Sequence, residues 1–386
     1  MARTLLILGA GEIGLMLTRS AKKHGLTVTV IDEYADAPAM READFWHVID
    51  LSDSTALEAT VVRINPDFII REIESVSTDF LLDLEGKGYT IYPKTQSIKT
   101  SCNKQQSRLL VNKELKIRTA DYMIVSNADE LIIGTKSLGL PCVVKPLCSS
   151  SGLGQSIIRN ETEIEGAWNK TKKARRKFRK VILEKFVEIE QELTILMVKQ
   201  KSGELLTCPP IGYTTKRGDF ETSWQPALLD NTLLKEAQES AMKIVNALDG
   251  EGVWPVEFFV SEGKLLFNEV CPRPHSTGFV TLAGSQSINQ FDLHIKAMLG
   301  EPIEKIESIR AAASKALLAE SYGKKPQVKG VQTVNQIPNT SVELFDKPIT
   351  KPYRRMGVAL SYIEDIDKVD DAKAAVTRAV EAIEFN

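Results

Sequence analysis

Unbroken apolar runs and amphipathic stretches alternate along the first hundred residues. Thr4-Leu-Leu-Ile-Leu8 leads into a glycine turn and an amphipathic stretch to about Lys23, and Val28–Ile31 follows, ending in Asp32. Apolar segments recur at Asp67–Ile70 and Tyr89–Tyr92 with helical spacers between them. Short runs without period-two alternation mark strands covered on both faces, so the pattern predicts a small parallel sheet wrapped by helices, an α/β unit of nucleotide-binding type.

From Asn103 to about Gly139 the chain reads as a helix and a connector. Leu140-Pro-Cys-Val-Val-Lys-Pro146 then introduces two short strands flanking the turn Cys148-Ser-Ser-Ser-Gly-Leu-Gly-Gln155, the pattern of a hairpin with a glycine tip. A helix carrying Trp168, strands at Lys180–Phe186 and Glu192–Val198, and a helix at Leu233–Leu248 come next. Val253–Val260 and Lys264–Val270 read as an antiparallel pair joined by Ser-Glu-Gly. Beyond Arg310 the texture changes to short β runs (Ser314–Ala319, Gly330–Asn335, Ser341–Leu344, Val358–Tyr362) and a closing helix near Ala372–Ile383. Three domains are expected, at 1–102, 103–310 and 311–386, which fits 386 residues at about 100–200 per domain.

Composition narrows the function more than the fold. Hydrophobic residues make up 43% and charged residues 26%, which supplies a core and excludes a disordered chain. A formal charge of −2 leaves no global field to draw nucleic acid or an anionic membrane. The basic run Lys170–Lys180 has one aromatic, Phe178, and is expected to be a solvated face. No window is long and apolar enough for a membrane span, and Met1–Gly11 lacks the features of a signal peptide, so a cytoplasmic protein is expected. Cys102, Cys142, Cys148, Cys208 and Cys271 contain no CxxC pair and read as reduced structural thiols.

Four groups of residues carry candidate chemistry. Gly9-Ala-Gly-Glu-Ile-Gly14, with Asp32 about twenty residues on, matches the dinucleotide fingerprint and by itself predicts an NAD-dependent dehydrogenase, yet the same turn serves other phosphorylated riboses and Glu12 sits awkwardly beside a pyrophosphate. Lys145 followed by the Ser/Gly tip offers a cation and backbone N–H donors to phosphate, and it is no Walker loop. Glu257 and Glu269, on facing strands, suit Mg²⁺, a hard cation that takes oxygen ligands. Val181-Ile-Leu-Glu184-Lys-Phe-Val187, followed by Glu188, Glu190 and Glu192, offers a strand end to an adenine and a carboxylate to a ribose.

Those motifs, together with Tyr34-Ala-Asp-Ala-Pro-Ala-Met40, Glu72-Ile-Glu74, Ser223-Trp-Gln-Pro226, the run from Glu269 to Gly278 and Arg354-Arg355-Met-Gly-Val-Ala-Leu360, resemble one family. It is the formate-dependent phosphoribosylglycinamide formyltransferases of purine biosynthesis, and the likeness runs in order from about Leu5 to about Leu360. The resemblance implies a mixed α/β and α+β ATP-grasp fold with a Rossmann-like N-terminal domain and a small β-rich C-terminal domain. It implies ATP and Mg²⁺ as cofactors, formate and phosphoribosylglycinamide as substrates, formyl phosphate as the intermediate, and a homodimer.

Carried over residue by residue, the resemblance gives Lys104 and Lys145 to phosphates, and Ser150, Ser151, Gly152, Leu153, Gly154 and Gln155 to a flap. Glu184, Lys185, Phe186 and Val187 would cradle the adenine, Glu192 the ribose, and Glu257 with Glu269 the Mg²⁺. Lys145, Ser151, Gly152 and Glu269 would act in the chemistry. Glu12, Ile13, Glu72 and Ser276 would face the glycinamide side, and Lys347, Arg354 and Arg355 would clamp the phosphate. Four positions depart from the family pattern: Leu153 for a lysine, Lys104 for an arginine, Ser276 for an aspartate and Pro255 for a glycine. The neighbouring activity expected to compete is carboxylation of aminoimidazole ribonucleotide with bicarbonate.

Overall fold

The computed structural model describes residues 2–149, 152–172 and 180–386. Its N-terminal part is a five-stranded parallel sheet in which Thr4–Leu8 lies at the centre, between Thr27–Asp32 and Phe68–Arg71, with Phe45–Val48 and Ile91–Tyr92 at the edges. The central strand is buried on both faces. Leu5 and Ile7 point into one apolar cluster, and Leu6 and Leu8 into another. That is why its sequence runs apolar without alternation. The edge strand Phe45–Val48 escaped the sequence pattern because it is half open, with Phe45 59% and Trp46 55% exposed.

Two antiparallel sheets follow. Tyr122–Val125, Val181–Lys185, Cys142–Pro146 and Ser156–Ile158 form the smaller. In the larger, Lys264–Val270, Gly252–Ser261, Gln191–Lys199, Ile211–Lys216 and Asp219–Gln225 pair in that spatial order. The sheet continues through Ala311–Leu318, Arg355–Ile363 and Thr340–Leu344, so the C-terminal residues extend the sheet that the middle of the chain begins. The helix Val369–Ala382 packs on these last strands through Ala372, Val376 and Ala379.

Three expectations changed. The connector expected between Asn103 and Gly139 contains a strand, Tyr122–Val125, and a second helix, Ala128–Leu138. The strands Ile211–Lys216 and Asp219–Gln225 mix polar residues with isolated apolar ones and gave no apolar run. Gly330–Asn335 was expected to be a β run and instead holds a short helix, Val331–Val334. Its valines are three apart, and the buried one, Val334, packs toward the closing helix. Gly330 precedes it at φ 90°, where a Cβ would strike the Ala382 carbonyl.

Pro255 lies inside an interior strand, a position that usually needs its N–H. Its carbonyl accepts from the Cys271 N–H, one residue past the end of the neighbouring strand, so the missing donor falls where that strand has stopped. Of the basic run, 173–179 lies outside the described residues, while Lys170, Lys172 and Lys180 are exposed. No helix among the described residues is long and apolar enough to cross a membrane.

Candidate active site

The glycine turn after Thr4–Leu8 is closed around carboxylates. Gly9 adopts φ 116°, and a Cβ there would meet the Glu72 carboxylate. Asp32, placed by sequence on a ribose, instead accepts from the N–H groups of Ala10 at 2.6 Å and Glu33 at 2.7 Å, which fixes the turn from inside. Glu12, Asp32 and Glu72 all line the cavity over the turn. Asp32 is thus engaged by the turn and not open to a ribose, and Glu12 stands in the first turn of the helix where a pyrophosphate would sit, which removes the dinucleotide expectation for Gly9–Gly14.

Opposite them stand the cations. Lys347 Nζ lies 2.6 Å from Glu12, and Arg355 lies 3.4 Å from Glu12, 2.8 Å from Asp219 and 2.6 Å from the Ser276 hydroxyl. Burial opposes ionisation of Glu12, but Lys347 and Arg355 overcome it and hold its carboxyl at about 2. Burial has the opposite outcome at Glu72, whose carboxyl is pushed up to about 8 against the pull of Arg273 and with the help of Glu12. Arg354 donates to the Ile349 carbonyl at 2.8 Å, and its guanidinium sits over the Tyr34 ring. Ile13 is buried at the cavity wall.

A second cleft opens between the two antiparallel sheets. Lys104, Lys145, Gly152 and Gln155 line one side, and Glu192, Tyr213, Glu257 and Glu269 the other. Glu257 and Glu269 are direct partners across their strand pair. Glu257 accepts from the Tyr213 hydroxyl and the Asn268 amide, each at 3.1 Å, and its other oxygen lies 3.1 Å from His275 Nδ1. Burial and then the Glu269 charge drive the Glu257 carboxyl well up. Burial also weighs on Glu269, but the Lys104 charge and the Cys271 thiol keep it low. His275 is held at about 4, chiefly by burial, and is a neutral imidazole at physiological pH.

Several residues expected at the nucleotide are held by neighbours within the protein. Glu184 is buried, and its carboxylate is taken by Lys145 at 2.6 Å and Arg108 at 2.6 Å, so its side chain supports the lysine and does not face the cleft. Lys185, Phe186 and Val187 do not line the described cleft. Glu192 accepts from Thr215 N at 2.9 Å. Lys104 Nζ donates to the Ser149 carbonyl at 2.9 Å. Leu153 is 62% exposed, Gly154 is buried, and Gly152 packs against Gly218 of the facing hairpin. Ser150 and Ser151 lie outside the described residues.

Sequence reasoning missed Arg108, Tyr213, Asp219 and Arg273. Arg108 and Tyr213 stand alone in their segments and carry no motif. Asp219 lies just ahead of Ser223-Trp-Gln-Pro226, and Arg273 lies inside the Pro-Arg-Pro run, where it pairs with Glu74 at 2.9 Å. Asp219 also places a carboxylate beside the guanidinium that holds Ser276, the position where the resemblance expects an aspartate.

A cleft between two antiparallel sheets, set beside a parallel-sheet unit, is the architecture of the ATP-grasp class. Residues 2–102 match the ribonucleotide synthetase preATP-grasp domain, 110–291 the ATP-grasp domain, and 312–383 the family described as "PurT, C-terminal". The chain is 44% identical over 375 residues to the formate-dependent phosphoribosylglycinamide formyltransferase of Chlorobium phaeobacteroides, covering 97% of this chain and 96% of that one. It is 42% identical to the protein of that name from Bacteroides thetaiotaomicron, covering 98% and 99%. The chain belongs to the formate-dependent phosphoribosylglycinamide formyltransferase family. Among solved structures it resembles N5-carboxyaminoimidazole ribonucleotide synthetase from Thermotoga maritima, with TM-score 0.85, 28% identity and 99% of both chains covered. It also resembles the glycinamide-RNase-transformylase T of Mycobacterium tuberculosis, with TM-score 0.78, 26% identity and 98% of both chains covered.

Proposed function

We propose that this chain uses ATP to couple formate to the amine of phosphoribosylglycinamide through formyl phosphate, releasing ADP and phosphate, in purine biosynthesis. One observation carries it: the cleft holding Lys145 and the cavity holding Glu12, Glu72, Lys347 and Arg355 meet at Lys104, Ser149, Glu269, His275 and Ser276. An acyl phosphate made on one side is thereby presented to an amine on the other without crossing solvent. Domains at 1–102, 103–310 and 311–386 are assigned accordingly, with the homodimer that the resemblance carries and the cytoplasmic location expected from the sequence.

The chemistry asks for cations and positioning. Formate is a poor acyl donor because hydroxide would have to leave. One formate oxygen bonds to the γ-phosphorus as the bond to the bridging oxygen of ADP breaks, and phosphate then becomes the leaving group. Such transfers are accelerated mainly by alignment and charge neutralisation. Lys145, steadied by Glu184 and Arg108, and Lys104 would hold the phosphates, with residues 150–155 closing over them and Glu192 holding the ribose. Of the expected adenine cradle, the backbone of 185–187 is left to bind the base.

The donor set fits Mg²⁺. Buried Glu257 pairs with half-buried Glu269, and Glu257 resists ionisation because it is buried and because its neighbour is charged. A divalent cation relieves that repulsion through hard oxygen ligands. Glu257 and Glu269 would hold it, and bound there it would neutralise the charge of the transferring phosphate.

The glycinamide amine must be neutral to attack. An α-amino group loses its proton at about 8, and a base acts best when matched to that value. Glu72, at about 8, has that match. The amine nitrogen bonds to the formyl carbon, the carbon–oxygen bond to phosphate breaks, and the proton leaves the nitrogen for Glu72. Lys347, Arg354 and Arg355 would hold the ribose phosphate, with Ser276 and Ile13 shaping the wall between.

ADP release measured with each acid and amine pair tests the assignment. Formate with phosphoribosylglycinamide should be the productive pair. Turnover with bicarbonate and aminoimidazole ribonucleotide would instead assign the chain to carboxylation.

A further inference from the structure

The run Glu269-Val-Cys-Pro-Arg-Pro-His275 leaves the end of a strand and turns into the short helix 276–283, and the turn gathers three unlike donors. A Glu269 oxygen, Cys271 Sγ and a His275 ring nitrogen all lie within 4.8 Å of one another. The Cys271 thiol lies 3.4 Å from Glu269 Oε1. The proposed transfer gives the thiol no task. Cys271 borders the amine-side cavity, whereas Glu269 and His275 border both sides of the junction, so the cluster is open to a small ion from that cavity.

We propose that Glu269, Cys271 and His275 form a site for Zn²⁺, distinct in chemistry from the Mg²⁺ pair but sharing Glu269 with it. A thiolate, an imidazole and a carboxylate are the ligands Zn²⁺ takes, and three protein ligands plus water complete its tetrahedron. Donors about 2.0–2.3 Å from one metal stand roughly 3.3–3.8 Å apart, so side-chain rotation suffices to bring this set together. Mg²⁺ has no use for sulfur, and softness therefore separates the two ions. On binding, the Cys271 S–H bond breaks, the proton passes to water, and the sulfur lone pair bonds to Zn²⁺. The ion then draws Glu269 away from Glu257, so zinc opposes turnover reversibly.

Equilibrium dialysis of the full chain against Zn²⁺ in excess Mg²⁺ tests the site without reference to turnover. One zinc should bind per chain, with affinity falling at least about tenfold in Cys271→Ser and in His275→Gln. Cd²⁺ should give a thiolate-to-metal absorption band in the wild type that Cys271→Ser and Cys271→Ala both lack, with melting temperatures of the variants confirming a folded chain. Zinc affinity unchanged in either cysteine variant, or a Cd²⁺ band that survives them, would overturn the proposal. Loss of Mg-ATP binding by the wild type would count against the proposed function and leave the zinc result standing.

Discussion

The Glu12 carboxylate lies 2.6 Å from Lys347 Nζ, which joins directly the groups assigned to opposite ends of the substrate. Arg355 shares the same carboxylate at 3.4 Å. Glu12 thus occupies the phosphate clamp until a dianionic phosphate takes over both cations, and substrate entry frees it to meet the amine. The variant Glu12→Gln should bind ribose 5-phosphate roughly tenfold more tightly by calorimetry, a gain of about 1.4 kcal/mol, while formyl transfer falls. Weaker ribose 5-phosphate binding in that variant would show that Glu12 supports the phosphate site.

The two halves of the site should separate in kinetics. Arg355→Ala removes a buried guanidinium from the cavity wall and should raise KM for phosphoribosylglycinamide strongly with little change for ATP. Lys145→Ala should do the reverse. If Arg355→Ala weakens ATP alone, the phosphate clamp belongs elsewhere.

Glu72 ties activity and stability to pH. Its folded carboxyl titrates at about 8, against 4.5 ordinarily, so the folded chain keeps a proton that the unfolded chain releases across that window. The resulting stabilisation is full below 4.5 and is lost as pH rises toward 8. Glu72→Gln should therefore flatten the decline in melting temperature between those limits. It should also cut kcat/KM by about 10²-fold or more and abolish the acid limb that the wild type shows near 8. A wild-type profile with no limb above pH 6 would exclude Glu72 as the base.

Arg108 is a support that no motif announces. It meets Glu184 through two nitrogens, at 3.0 and 2.6 Å, donates to the Asn268 carbonyl at 2.6 Å and lies over the Phe267 ring. Arg108→Ala should cost about 3–5 kcal/mol in urea unfolding, as expected for breaking a buried pair, and should raise KM for ATP because Lys145 is then the one cation left to neutralise Glu184 and is held back from the phosphates. Wild-type stability would show that Lys145 alone satisfies the carboxylate.

The parts legible in the sequence were those with a local period or a local motif. Leu5 to Leu8 announced a strand buried on both faces, and the Glu257–Glu269 pairing followed from a hairpin whose turn was visible. Asp219 and Arg355 are 136 residues apart, and Arg108 and Glu184 are 76 apart, and only the fold brings each pair together. Asp32 misled because a glycine turn followed by an acid has the same spacing whether the acid faces a ribose or caps the turn itself. Strands without an apolar run, such as Ile211–Lys216, gave no signal because their order comes from neighbours in the sheet.

Formyl phosphate is the step on which every role rests, and the fate of the formate oxygens tests it most directly. With both oxygens of formate heavy-labelled, each turnover should place one label in inorganic phosphate and one in the formyl product, because the oxygen that attacked phosphorus leaves with it. Phosphate that carries no label while formylglycinamide ribonucleotide accumulates would contradict the account.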